Sequence, residues 1–179
     1  MKRIARFEKV SFRQFSDGWD DTFQAIEKGE NKDQSKETLK EIYDRIKLPR
    51  RATAGSAGYD FFAPVDIILN PGETIKIPTG IRVWMEPEWV LKCYPRSGLG
   101  FKFRLQLNNT VGIIDSDYFY SDNEGHIFSK ITNDSNENKT LTIPADTGFM
   151  QGIFVEYGIT VDDDATEIRN GGFGSTTAK

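Results

Sequence analysis

Asn70-Pro71-Gly72-Glu73-Thr74-Ile75-Lys76-Ile77-Pro78-Thr79-Gly80-Ile81-Arg82-Val83-Trp84 is the stretch whose reading decides the fold class. Asn70-Pro71-Gly72 is a strong turn signal. Beyond it Ile75 and Ile77 alternate with Thr74 and Lys76, and Ile81 and Val83 alternate with Arg82 and Trp84. A period of two predicts half-buried strands. The same texture holds for everything after Pro49: short segments separated by turn signals, which predicts an all-β sandwich or barrel. Asp122-Asn123-Glu124-Gly125 and the tract from Asn133 to Lys139 read as hairpin ends flanking His126 to Thr132. Thr140 to Ile143 and Gly152 to Tyr157 read as later strands.

Upstream the pattern changes. Ile4 to Phe15 mixes β-branched, aromatic and basic residues and predicts an opening strand, with Val10, Phe12 and Phe15 available to one side. From Trp19 the spacing Trp19, Phe23, Ile26 is helical, and Gly29 is placed to end that helix. Leu39, Ile42, Tyr43 and Ile46 repeat the helical spacing, with Ser35 as a candidate cap and Glu41 to Arg45 as an ion pair at four residues' separation. Two short amphipathic helices over about Trp19 to Lys47 are expected, as a solvated lid over one edge of the core; a protein-partner surface is the alternative reading.

The 179 residues suit one main domain. With 37% hydrophobic, 28% charged and 12% aromatic residues the chain is neither collagen-like nor wholly disordered, and 16 Gly and 7 Pro predict many turns. A formal charge of −4 argues against binding along a nucleic-acid backbone, so an anionic ligand must be met by a local cluster. Cys93 stands alone, which excludes an intramolecular disulfide, and no Cys/His set for structural zinc exists. No run of about 18 apolar residues occurs, so no membrane span is expected. A soluble, cytoplasmic protein is the expectation.

The lone His126 removes the common Ser-His-Asp and Cys-His nucleophile systems and lies in a predicted hairpin. Catalysis must then rest on carboxylates, arginines, hydroxyls and backbone amides, a set suited to positioning a phosphate ester and activating water. Gly171-Gly172-Phe173-Gly174-Ser175-Thr176-Thr177 offers N–H groups, hydroxyls and one aromatic that can stack on a base, with Arg169 just before it. Taken alone it reads as a mobile end. Tyr94-Pro95-Arg96-Ser97-Gly98-Leu99-Gly100 sets an arginine and a hydroxyl before glycines, and Gly112-Ile113-Ile114-Asp115-Ser116-Asp117-Tyr118 sets carboxylates before an aromatic. Singly, each is also an ordinary turn.

In order, these segments resemble the trimeric all-β dUTPase family from about Leu48 to Lys179. The motifs are Ala57-Gly58-Tyr59-Asp60, Pro95-Arg96-Ser97-Gly98, Asn109 to Tyr118, a strand centred on Gln151, and Gly171 to Thr176. The resemblance implies a dUTPase-like β-barrel or jelly-roll sandwich with a helical insertion near the N-terminus. It divides the chain into a single domain over 1–168 and a mobile arm over 169–179. It also implies hydrolysis of dUTP to dUMP and pyrophosphate with Mg2+, in a homotrimer with shared sites.

By the same resemblance Asp115 is the general base, Asn109 reads uracil beside Gly112 and Ile114, and Tyr118 packs under deoxyribose. Arg96, Ser97, Gly98 and Gln151 hold the triphosphate. Arg169, Gly174, Ser175 and Thr176 belong to the arm, with Phe173 stacking on uracil. Asp60 supports the metal-bound triphosphate through water or a hydrogen-bond network. The chain departs from the family in four ways: Gly148 stands where an arginine is common, the fifth motif is compressed between Arg169 and Phe173, Thr177 replaces a glycine, and the segment between Tyr118 and Gln151 is longer. Deoxycytidine triphosphate deaminase shares the fold but typically has Pro-Gly at Asp117-Tyr118 and lacks the Phe-Gly-Ser-Thr arm. A dUTPase-fold regulatory module with a protein partner at 19–47 is the non-enzymatic alternative.

Overall fold

A computed structural model of the chain describes residues 2–27, 38–169 and 171. Eleven strands follow in chain order among these residues: β1 Ala5–Lys9, β2 Tyr59–Phe62, β3 Ile67–Leu69, β4 Thr74–Pro78, β5 Ile81–Met85, β6 Trp89–Pro95, β7 Leu105–Leu107, β8 Gly112–Ile114, β9 Phe128–Asn133, β10 Leu141–Ile143 and β11 Gly148–Glu156. Three helices accompany them in the same residues, α1 Phe12–Glu27, α2 Leu39–Arg45 and α3 Ser97–Phe103. A 3-10 turn covers Ser116–Tyr120.

All strand pairs are antiparallel. One sheet runs β2-β11-β6-β8 and another β4-β9-β7, with β1-β5 and β10-β3 as two-stranded ribbons. Inward residues of every sheet meet in one cluster that includes Phe61, Ile77, Val83, Leu91, Ile131, Leu141 and Phe149. This is the all-β architecture that the alternation predicts: Ile77, Ile81 and Val83 are buried while Thr74 is exposed. The Asn70 turn forms as read, with Gly72 at φ 84° and the Glu73 N–H donating to the Asn70 carbonyl at 3.0 Å. Only glycine adopts that backbone region at low cost.

The N-terminal segment differs from its reading. The strand stops at Lys9 and the helix begins at Phe12, so Phe12 and Phe15 are helical and the insertion starts seven residues before Trp19. Ser11 is the reason: its Oγ accepts the Gln14 N–H at 3.1 Å, the arrangement of a helix N-cap. Its own N–H and hydroxyl donate to the Glu124 carboxylate at 2.7 and 2.6 Å, which ties the helix start to the barrel. For α2 the cap is Thr38, in a capping box with Glu41. Ser35 and Gly29 lie outside the described residues.

Phe15 is fully buried and joins Val10 and Ile42 in a second, smaller core. Burying a phenylalanine of this kind stabilises by about 1.5–3 kcal/mol. The helices are therefore docked on the barrel, α1 against β4 and α2. Gly18 is the contact point, since a Cβ there would lie 2.8 Å from the Phe128 ring and 3.0 Å from His126. Among the described residues no helix is long and apolar enough to cross a membrane.

Candidate active site

Three neighbouring strands of one sheet bring Asp60, Arg96 and Gln151 together. Gln151 on β11 pairs with Asp60 on β2 and with Tyr94 on β6, and Arg96 follows the end of β6. Arg96 Nε lies 3.3 Å from Asp60 Oδ1, and its Nη1 donates to the Gly148 carbonyl at 3.4 Å. Gln151 Nε2 donates to the Pro95 carbonyl at 3.1 Å. Ser97 and Gly98, both exposed, open α3 beside them. Arg96, Ser97 and Gln151 line a shallow depression of about 460 Å³ with Tyr94 and Phe101 at its edge. Its guanidinium, hydroxyl and carboxamide are hydrogen-bond donors, the chemistry that meets phosphate.

Asp115 stands at the other end of the same sheet. β8 pairs with β6 so that Ile114 faces Leu91, and Asp115 is the next residue, at the start of the 3-10 turn. Five residues of strand separate Leu91 from Arg96, about 17 Å at the usual rise. Within one chain the carboxylate and the donor-lined depression therefore do not meet. Arg169 is brought to the carboxylate: its Nη2 lies 2.5 Å from Asp115 Oδ2 and its Nε donates to Asp117 Oδ1 at 2.8 Å. The Asp115 side chain is still 48% exposed, open to water. Phe173, Gly174, Ser175 and Thr176 lie outside the described residues.

Tyr118 is buried; its hydroxyl donates to the His126 carbonyl at 2.8 Å and accepts from Asn123 Nδ2 at 2.8 Å. The Arg169 guanidinium sits 5.8 Å from its ring. Burial is the main cause that raises the Tyr118 pKa, so the phenol stays protonated.

Asn109, Gly112 and Ile114 line a cavity of about 630 Å³ between the β8 edge and α1. Gly112 is tightly placed, because a Cβ there would come 3.1 Å from that of Cys93. Cys93 is on the cavity wall, but burial pushes its thiol up to about 12, so no thiolate forms at neutral pH. His126 is buried between Phe15 and Phe128, and its Nε2 accepts the Gly80 N–H at 2.9 Å. Burial pulls its pKa down to about 3, and it serves as a neutral core residue. Ile114 lines the cavity and Asp115 follows it in the chain, while Asp17 and Asp21 of α1 supply the carboxylates of the cavity wall itself.

Sequence reasoning missed two parts of this site. Gln14, Asp17 and Gly18 of α1 form one wall of the cavity, so the insertion borders the pocket rather than standing apart from it. The Asn109 turn also carries Thr110 at φ 65°, a left-handed conformation uncommon for a β-branched residue. Its Asn-Asn-Thr composition marks a turn but does not specify that geometry.

A cavity of nucleotide size and a donor-lined anion corner on an antiparallel barrel define a class, the all-β nucleotide-binding proteins. Similarity to known proteins narrows it. The family model described as dUTPase matches residues 44–177. The chain is 40% identical over 136 residues to the deoxyuridine 5'-triphosphate nucleotidohydrolase of Lactococcus lactis subsp. lactis, an overlap of 74% of this chain and 89% of that protein. It superposes on the crystal structure of dUTPase from Streptococcus mutans with a TM-score of 0.56 at 35% identity, over 63% of this chain and 88% of that one. The fold also matches a mutant dUTPase from phage phi11 of S. aureus, described with a structural Mg(II) ion, with a TM-score of 0.55 at 21% identity over 68% of this chain and 90% of that one. The chain belongs to the dUTPase family.

Proposed function

We propose that this dUTP diphosphatase hydrolyses dUTP to dUMP and pyrophosphate by attack of an Asp115-activated water on the α-phosphorus, which limits uracil incorporation into DNA and supplies dUMP for thymidylate synthesis. The observation that carries the reading is the position of Asp115, solvent-accessible and directly after Ile114 on the wall of the cavity. A carboxylate there accepts the water proton as the new P–O bond forms and the bond to the leaving pyrophosphate breaks. Asn109, Gly112 and Ile114, which line the cavity, would face the base, and Tyr118, buried three residues after Asp115, is read as the aromatic beneath the sugar. A pocket that refuses thymine's methyl and ribose's 2′-hydroxyl would select by penalising those competitors.

Arg96, Ser97, Gly98 and Gln151 take the phosphates. Among the described residues no group of three His, Cys, Asp or Glu side chains converges on a metal position. Asp60, the carboxylate beside Arg96, is read as the residue nearest a magnesium ion that would be carried on the triphosphate and keep most of its water. Bound there, magnesium would neutralise phosphate charge. Arg169 exchanges Asp115 and Asp117 for the γ-phosphate when the arm closes, and Phe173, Gly174, Ser175 and Thr176 complete the cover over base and phosphates.

The separation of Asp115 from Arg96 along β6 supports sites assembled from neighbouring copies, and a homotrimer is the arrangement proposed. Light scattering at working concentration is expected to return three times the chain mass; a monomer that turns over dUTP would remove the shared-site model. A regulatory module is not favoured, since the chain belongs to the dUTPase family and its relatives are nucleotidohydrolases.

The central test is pyrophosphate release from dUTP, dCTP, dTTP and UTP with magnesium, for the full chain and for one ending before Arg169. The full chain should act selectively on dUTP. Truncation should lower kcat/KM by about 100-fold or more, the scale of a lost transition-state contact. Equal rates on all four nucleotides would overturn the reading.

A further inference from the structure

The departure at Gly148 has a structural counterpart. Gly148 opens β11 opposite Phe62, and the register then slips so that Met150, not Phe149, faces Phe61. The bulge buries Phe149 completely in the core and leaves Gly148 against Arg96. A Cβ built on Gly148 would lie 2.9 Å from Arg96 Nη1, 3.1 Å from Arg96 Cδ and 3.4 Å from the Asp60 Cβ. The place of a side chain at 148 is therefore filled by the Arg96 guanidinium, held by Asp60 at 3.3 Å and by the Gly148 carbonyl at 3.4 Å. Gly58 does the same for the neighbour, since a Cβ there would come 2.8 Å from Gln151 Oε1.

We infer that Gly148 is a positioning residue for phosphate recognition: its missing side chain lets Arg96 dock between Asp60 and the β11 backbone, in the orientation that receives the triphosphate. The inference rests on the reading of Arg96 as a phosphate contact. In this chain one arginine, seated by a gap and a carboxylate, occupies the corner. An arginine at 148 would meet both the steric limit and a like charge. Gly148 does not have a positive φ, so alanine suits its backbone, and the atom it would strike is the far end of a flexible side chain. Gly148→Ala should therefore fold normally and displace Arg96 instead.

The test is a double-mutant cycle on the full chain with Gly148→Ala, Arg96→Ala and both, reading kcat and KM for dUTP and the Kd of dUMP, with melting temperature as a control. Gly148→Ala should raise KM for dUTP about tenfold, leave dUMP affinity within twofold, and add nothing in the Arg96→Ala background. Asp60→Asn, which keeps the gap but removes the charge that holds Arg96, should shift KM in the same direction. Additive effects of Gly148→Ala and Arg96→Ala, or equal loss for dUTP and dUMP, would overturn the positioning role. If Arg96→Ala selectively weakens dUTP and Gly148→Ala does not, only this inference falls. If Arg96→Ala leaves both ligands untouched, the phosphate reading itself has failed.

Discussion

Asp115→Asn is expected to cut dUTP turnover by about 1,000-fold while a non-hydrolysable α,β-imido analogue binds within about threefold of the parent. Asparagine keeps the shape and one acceptor oxygen but cannot take a proton at neutral pH. Arg169 keeps its bond to Asp117, so the substitution removes one of its two anchors and leaves the other. The side chain is half exposed and outside the hydrophobic cluster, so melting temperature should hardly move. Single-turnover kinetics beside equilibrium binding gives the readout. Turnover within tenfold of the parent would show that Asp115 is not the base.

The second large effect is on stability. His126 has its pKa depressed from 6.5 to about 3, first by burial, with Lys76 acting the same way and Glu124 opposing. Between those values the unfolded chain holds a proton that the folded chain refuses, so stability is complete above about pH 6.5 and is lost as pH falls. The full window corresponds to about 5 kcal/mol, at about 1.4 kcal/mol per pH unit. Urea unfolding at fixed protein concentration should show this slope from pH 6.5 to 5, before most carboxylates titrate. His126→Gln should lose stability at pH 8, because Gly80 N–H loses its imidazole acceptor, yet flatten the slope. An unchanged slope in the variant would show that another group carries the acid sensitivity.

Much of the fold was legible because alternation is a local property. Ile75, Ile77, Ile81 and Val83 declare their buried face without knowledge of any partner strand, and they pair as β4 with β9 and β5 with β1. The motifs were legible as short glycine- and proline-rich segments around Arg96, Asp115 and Gln151. Why Gly112, Gly148 and Gly152 must be small shows only in the packing, where a Cβ would meet Cys93, Arg96 and Leu91. The start of α1 was misread because Phe12 and Phe15 suit a strand as well as a helix. Ser11 tips the balance only through Gln14 and through Glu124, more than a hundred residues away.

The all-β class and the family could be read from the chain's order of residues, because alternation and the order of short motifs depend on residue type and short spacing. Three other facts came only from the packed molecule: Asp115 and Arg96 lie at opposite ends of β6, α1 walls the cavity, and Gly148 makes room for Arg96. Each depends on which strands become neighbours and in what register. A one-residue slip would reverse every one of the inward faces involved.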